Sequence, residues 1–242
     1  MEHKQGYDTP LYPAAERSLR EELAAYFLSV PPYQEQSEEQ KADYRRRLRE
    51  LDDLTRREIL DAAGSHRPMT WGNPVPLIQN LLTAAQRLGA AVGQPLLLFP
   101  AKEVTIGFTA MLHPRLLSVA VCTLLRAACE AAPRQPVWVR LQEQESCLTV
   151  AATAAEPPQD GPLCAVIRES ARLHGGSLAR CDNTMIFSIS RTEEPSHTQR
   201  YQYPSAQELC RDTLSPVWTG FYAWLPQNSS PSEETEDSSE EG

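Results

Sequence analysis

The stretch HPRLLSVAVCTLLRAACEAA, residues 113–132, constrains the fold more than any other. Its spacing is helical and it is apolar enough to be largely buried, so other elements have to cover it on several sides. The segments that follow it supply a sheet. PVWVRLQE and SCLTVAATA alternate with a period of two and read as a strand hairpin turning around Glu143 to Ser146. SLARC and TMIFSIS form a second strand pair after a helix over 162–173 that ends in a His-Gly-Gly turn. Upstream, a helix over 76–92 carries Ile78, Leu81, Leu82, Ala85, Leu88 and Val92 on one face and stops at Gly93; PLLLF and EVTIGF read as a further strand pair. Hairpin strands with helices grouped between them predict an α+β fold, a two-layer α/β sandwich with the helices on one face of the sheet.

Two more helices precede this unit. The first places Ala15, Leu19, Leu23, Tyr26, Phe27 and Val30 on one side and is stopped by Pro31 and Pro32. The second, over 37–63, is dense in Arg and Glu and carries a narrow seam of Tyr44, Leu48, Leu51 and Leu54. Seams this narrow bury little alone. The hairpin therefore pairs with a second copy as a four-helix bundle, the solution expected here, or folds back on its own domain. After Arg191 comes an arm, YQYPSAQELCRDTLSPVWTGFYAWLPQ, rich in aromatics and broken by prolines. It is expected to dock as an extended segment, on its own domain rather than on a partner, because bare aromatic area is a solubility liability. The expected division is 1–66 for the hairpin, 67–192 for the sandwich, 193–226 for the arm and 227–242 for a disordered acidic tail.

Charge and special residues exclude several classes. The tail holds six acids and no base, so it accounts for six of the net charge of -9 and leaves -3 on the body. No basic face suited to nucleic acid is visible. The six cysteines form no C-x-x-C pair and sit mostly in apolar segments, as reduced structural thiols do. The five histidines are scattered, with no two at ligand spacing on one helix, and give no metal site. No apolar run approaches a membrane span and the N-terminus lacks the apolar centre of a signal peptide, so a cytoplasmic protein is expected.

The order of elements resembles a sensor histidine kinase core, in which a dimerisation and phosphoacceptor hairpin precedes an ATP-binding domain of the type shared with gyrase and the Hsp90 chaperone. GPLCAVIRESARLHGGSL is similar to that family's Gly-rich segment, following helix and His-Gly-Gly turn. HPRLLSVAVCTLLRAACEAAP is similar to its Asn-bearing helix and the DPxRL leading into it. The resemblance covers about 14–191 and implies ATP, magnesium and a phosphorylated histidine, with a response regulator or another histidine kinase as partner. At the matching positions this chain departs from the pattern. The metal-ligating Asn falls on Ala127, the Asn before it on Thr123, and the basic residue after it near Glu130. A methyl group cannot ligate a hard cation. The adenine-reading Asp falls on Ala152, and the glycines after it on Ala154 and Glu156. Only PPQD separates Glu156 from Gly161, which leaves no room for a lid; Gly161 is retained, but Leu163 stands where a second glycine belongs. Leu19 takes the place of the phosphoacceptor His, and His113 that of an acid before Pro114.

His66 reads as a surface turn residue and His174 as a helix terminator. The resemblance and its departures together imply a catalytically inactive histidine-kinase-like protein, a homodimer through its hairpin, that binds a two-component signalling partner and carries no cofactor. The alternative is an ATP-binding kinase or phosphotransferase with an atypical pocket, for which Glu130 and Asp160 would be the candidate magnesium ligands.

Overall fold

A computed structural model describes residues 14–61, 69–100, 107–156, 158–193 and 202–226. The apolar stretch forms helix α4, Pro114–Ala131, and every residue from Leu116 to Cys129 is buried. Pro114 occupies its first turn, where a missing N–H is harmless. His113 caps it, its ring Nδ1 accepting from the Leu116 N–H at 3.4 Å. Burial on all sides requires neighbours on all sides, and the remaining elements supply them.

One layer is a five-stranded sheet. Its strands are β2 (Leu96–Leu98), β4 (Val137–Glu143), β5 (Cys147–Thr153), β7 (Thr184–Ser190) and β6 (Leu178–Cys181), in the order β2-β4-β5-β7-β6. β2 runs parallel to β4 and the other pairs are antiparallel. The alternation read from the sequence sets the faces: Val137, Val139 and Leu141 point with Val150, Phe187 and Ile189 into the core. Helices α3 (Val75–Ala91), α4 and α5 (Pro162–Leu173) form the other layer.

The expected pairing of PLLLF with EVTIGF rests on residues 103–106, and 101–106 lie outside the described residues. Among the described strands β2 pairs with β4, a partner the sequence did not suggest, and Phe99 extends that ladder by donating to the Val139 carbonyl at 2.9 Å. The next strand is β3, Ala110–Leu112, which pairs with β1, Thr70–Gly72, in a separate two-stranded sheet. Apolar alternation marks a strand but does not choose its partner, and three residues are too few to show a period.

Two helices precede the sandwich, α1 (Ala14–Ser29) and α2 (Glu38–Asp61), bridged by an ion pair from Arg20 to Glu58. The α2 seam is covered by its own chain. Tyr44 and Leu48 belong to the main core, and Ile59 packs with Leu116, Val119 and Val166. The fold-back solution is thus the one this structure adopts for α2.

The arm is not extended, as the sequence suggested, but folds into two short helices, α6 (Ala206–Arg211) and α7 (Pro216–Gly220), and a final 3-10 turn at Tyr222–Trp224. Ser205 and Glu208 cap α6 reciprocally. Val217, Phe221 and Ala223 are fully buried, and Trp218 packs against Tyr33 with ring centroids 5.0 Å apart. The Tyr44 hydroxyl meets Thr213 Oγ1 at 2.6 Å. The aromatics therefore cement α2 to the sandwich, and the preference for docking on the arm's own domain agrees with the structure.

The His-Gly-Gly turn is explained residue by residue. His174 is buried; its Nδ1 donates to the Ser170 carbonyl at 2.6 Å and its Nε2 accepts from the His113 N–H at 3.2 Å. It thus ends α5, as expected, and also ties that end to the start of α4. Gly175 has a φ of 68°, in the left-handed region. At Gly176 the reason is space, because a Cβ there would lie 1.9 Å from the Ser188 carbonyl oxygen.

Candidate functional site

The last turn of α4, the segment entering α5 and the first turn of α5 enclose a cleft of about 470 Å³. Ala127 lines it from α4, together with Glu130 one turn further on; Glu156 and Asp160 line it from the connecting segment, and Gly161 and Leu163 from the start of α5. Among the described lining residues there is no Lys or Arg and there are three carboxylates. Glu130 accepts from Arg126 Nε at 2.5 Å, and Asp160 is 3.5 Å from Arg168. Arg126 itself is buried, held by Asp52 and stacked over the Trp224 ring.

Of the positions singled out in the sequence, Ala127 and Gly161 come together at this cleft, as do Glu130, Glu156, Asp160 and Leu163. Thr123, Ala152 and Ala154 are buried in the core and do not line it. Gly161 caps α5 in an extended conformation, and a Cβ there would meet nothing within 4 Å. Its glycine is not required by the local packing. Leu19 is half-buried on α1, whereas His66 lies outside the described residues. Ala127 offers magnesium no lone pair, whereas Glu130, Glu156 and Asp160 bring oxygen donors to the cleft; among the described residues no group of three or more His, Cys, Asp or Glu is placed to hold a metal ion together. All six cysteines are free, and burial pushes the Cys122, Cys129 and Cys164 thiols up in pKa, away from the reactive thiolate.

Sequence reading missed a second cluster. Asp52 of α2 is 3% exposed, and its Oδ2 accepts from Arg56, from Arg126 at 3.4 Å and from the Trp224 indole N–H at 2.8 Å. The Arg126 guanidinium sits 3.3 Å from the Trp224 ring centroid, with those of Arg56 and Arg49 at 5.1 and 5.4 Å. Burial pushes the Asp52 carboxyl up to about 6, against the pull of Arg56 and Arg126. Three distant segments meet here, so no local motif could have announced the cluster.

Comparison with known proteins finds no matching protein-family model and no matching curated protein. Among solved structures, the chain is similar to the histidine kinase AdeS of Acinetobacter baumannii, with 11% identity over 73% of this chain and 93% of that one and a TM-score of 0.49. It is also similar to the ATP-binding domain of PrrB from Mycobacterium tuberculosis, with 15% identity over 52% and 100% and a TM-score of 0.41. The histidine kinase ThkA in complex with the response regulator TrrA matches with 14% identity over 74% and 59% and a TM-score of 0.45. No helix among the described residues is long and apolar enough to cross a membrane.

Proposed function

We propose that this protein is a catalytically inactive histidine-kinase-like module that works in the cytoplasm by binding a two-component signalling partner, a response regulator or a histidine kinase. The observation that carries the reading is the lining of the cleft. Where the resemblance places a metal-ligating Asn there is Ala127, and where a basic residue belongs there is Glu130. A nucleotide triphosphate entering would meet the carboxylates of Glu130, Glu156 and Asp160, with no Asn or Asp at the Ala127 position and no Lys or Arg among the described lining residues. Gly161 alone does not restore a phosphate cradle, since Pro162 removes one of the N–H groups at the start of α5. Pairing of two copies belongs to the same reading, through α1 rather than the covered α2 seam; Leu28 on α1, 89% exposed, is an apolar side chain such an interface would cover. Partner class comes from the family resemblance, an analogy of fold.

The test is incubation with γ-labelled ATP and magnesium, alone and with a response regulator added. The reading expects no label on either protein, together with a measurable complex between the two. Acid-labile label on this chain would overturn it and return the kinase alternative.

A further inference from the structure

The sheet has a second face that no helix among the described residues covers. The register puts Leu97, Trp138, Thr153 and Thr184 in one outward row and Arg140, Ala151 and Ile186 in the next. Outward positions of a half-solvated antiparallel sheet are ordinarily polar or charged. Among the described residues the charge is nearly absent: Arg140 is the single charged one lining the hollow of about 340 Å³ on this face, in a chain whose residues are 23% charged. Leu97 and Phe99 are each 44% exposed and Trp138 37%, half of the six large hydrophobic side chains exposed among the described residues. The hydroxyls are already engaged, Thr153 with Thr184 at 2.8 Å and Thr149 with the Gln142 carbonyl at 3.1 Å. Arg140 lies over the Phe99 ring at 4.9 Å and takes part in no ion pair among the described residues.

Aromatic side chains with Arg, and few of Lys, Glu or Asp, are the composition of a protein–protein interface core rather than of a solvated surface. One lone cation is too little for nucleic acid. We propose that this open face docks a protein partner whose surface presents a carboxylate to Arg140 beside an apolar side chain that fills the hollow next to Trp138. The charge pattern fixes that chemistry. In the hollow an acidic partner meets the Arg140 guanidinium, with no carboxylate among the described lining residues to compete for it. A basic partner would meet that guanidinium with nothing to neutralise it. The inference concerns a different surface from the cleft and stands whether or not the cleft takes nucleotide.

The experiment is an NMR titration of the full chain with two end-blocked pentapeptides, Asp-Leu-Glu-Phe-Asp and the matched Asn-Leu-Gln-Phe-Asn. The acidic peptide should move the Trp138 indole, Arg140 side-chain and Ile186 methyl signals saturably, and the amide peptide should bind about tenfold more weakly, the value of one charge-assisted pair. Arg140→Gln, an exposed substitution, should remove that preference while leaving the melting temperature unchanged. Equal binding of both peptides, shifts confined to other surfaces, or no saturable shift at millimolar peptide would each overturn the proposal. A dilution series without peptide tests the rival occupant: Trp138 signals that move with protein concentration would assign the face to a second copy and overturn it as well.

Discussion

Replacing Trp224 probes the junction on which the one-body arrangement of hairpin and sandwich depends. Trp224→Ala removes the indole bond to Asp52 at 2.8 Å and the surface on which Arg126 stacks at 3.3 Å. Truncating a core Trp costs about 3–5 kcal/mol. Trp224 is partly buried, so the lower end of that range applies, about 3 kcal/mol, with the charged hydrogen bond supplying about 1.5 of it. For a chain of this size that is a fall in melting temperature of about 10 °C, at roughly 3 °C per kcal/mol. Trp224→Phe keeps a ring beneath Arg126 and loses only the N–H, so about half the effect is expected. Thermal unfolding gives both shifts. Hydrogen exchange then shows where the loss falls: protection should drop first in α2 and the arm, with β5 and β7 close to the unaltered protein. A Trp224→Ala protein melting within about 2 °C of the parent, less than 1 kcal/mol, would refute the claim that this cluster holds the hairpin down.

The remaining expectations concern the turn, the cleft and pH. Gly176→Ala drives a Cβ to within 1.9 Å of the Ser188 carbonyl oxygen and should cost at least about 3 kcal/mol in chemical denaturation. Gly161→Ala, with open space around it, should shift stability by less than about 0.5 kcal/mol; a large loss there would mean the cleft wall is tighter than described. His174 is held neutral, its pKa lowered first by burial and further by the nearby His113, against the pull of the Ser170 carbonyl. The unfolded chain therefore takes the proton first. The His174 contribution to stability is complete above the unfolded value of about 6.5 and declines as pH falls toward the folded value, at no more than about 1.4 kcal/mol per pH unit. Melting temperature measured across this range should fall on acidification, and His174→Gln should flatten the slope. An unchanged slope would refute the assignment.

The parts of this fold legible in sequence were those written in local periodicity. α5 and β7 have the expected bounds because their apolar spacing and the Gly175 stop are contained within them. The partner of β2 was not legible, since three apolar residues pair equally well with any strand that shares their face. The burial of α4 was visible, but what covers it was not. Its cover includes the arm, whose short helices are fixed by tertiary bonds such as Trp218 Nε1 to the Cys210 carbonyl at 2.8 Å and carry too few residues to show a period. At the cleft, the resemblance led to Ala127, Glu130, Glu156, Gly161 and Leu163, which lie on or beside elements of fixed register. It did not foresee that Thr123, Ala152 and Ala154 would be buried away from the lining. Arg140 and Trp138 went unremarked for a related reason: alternate residues of one strand reveal a face, and only the neighbouring strands show that the face is short of charge.

Calorimetric titration of the full chain with ATP and magnesium, with a non-hydrolysable analogue alongside, tests the central claim most directly. The proposed inactive module, whose cleft is lined by Ala127, Glu130, Glu156 and Asp160, should give no binding heat at millimolar nucleotide. Saturable binding in the micromolar range, abolished by substitutions around Gly161, would contradict the account and identify a working nucleotide site.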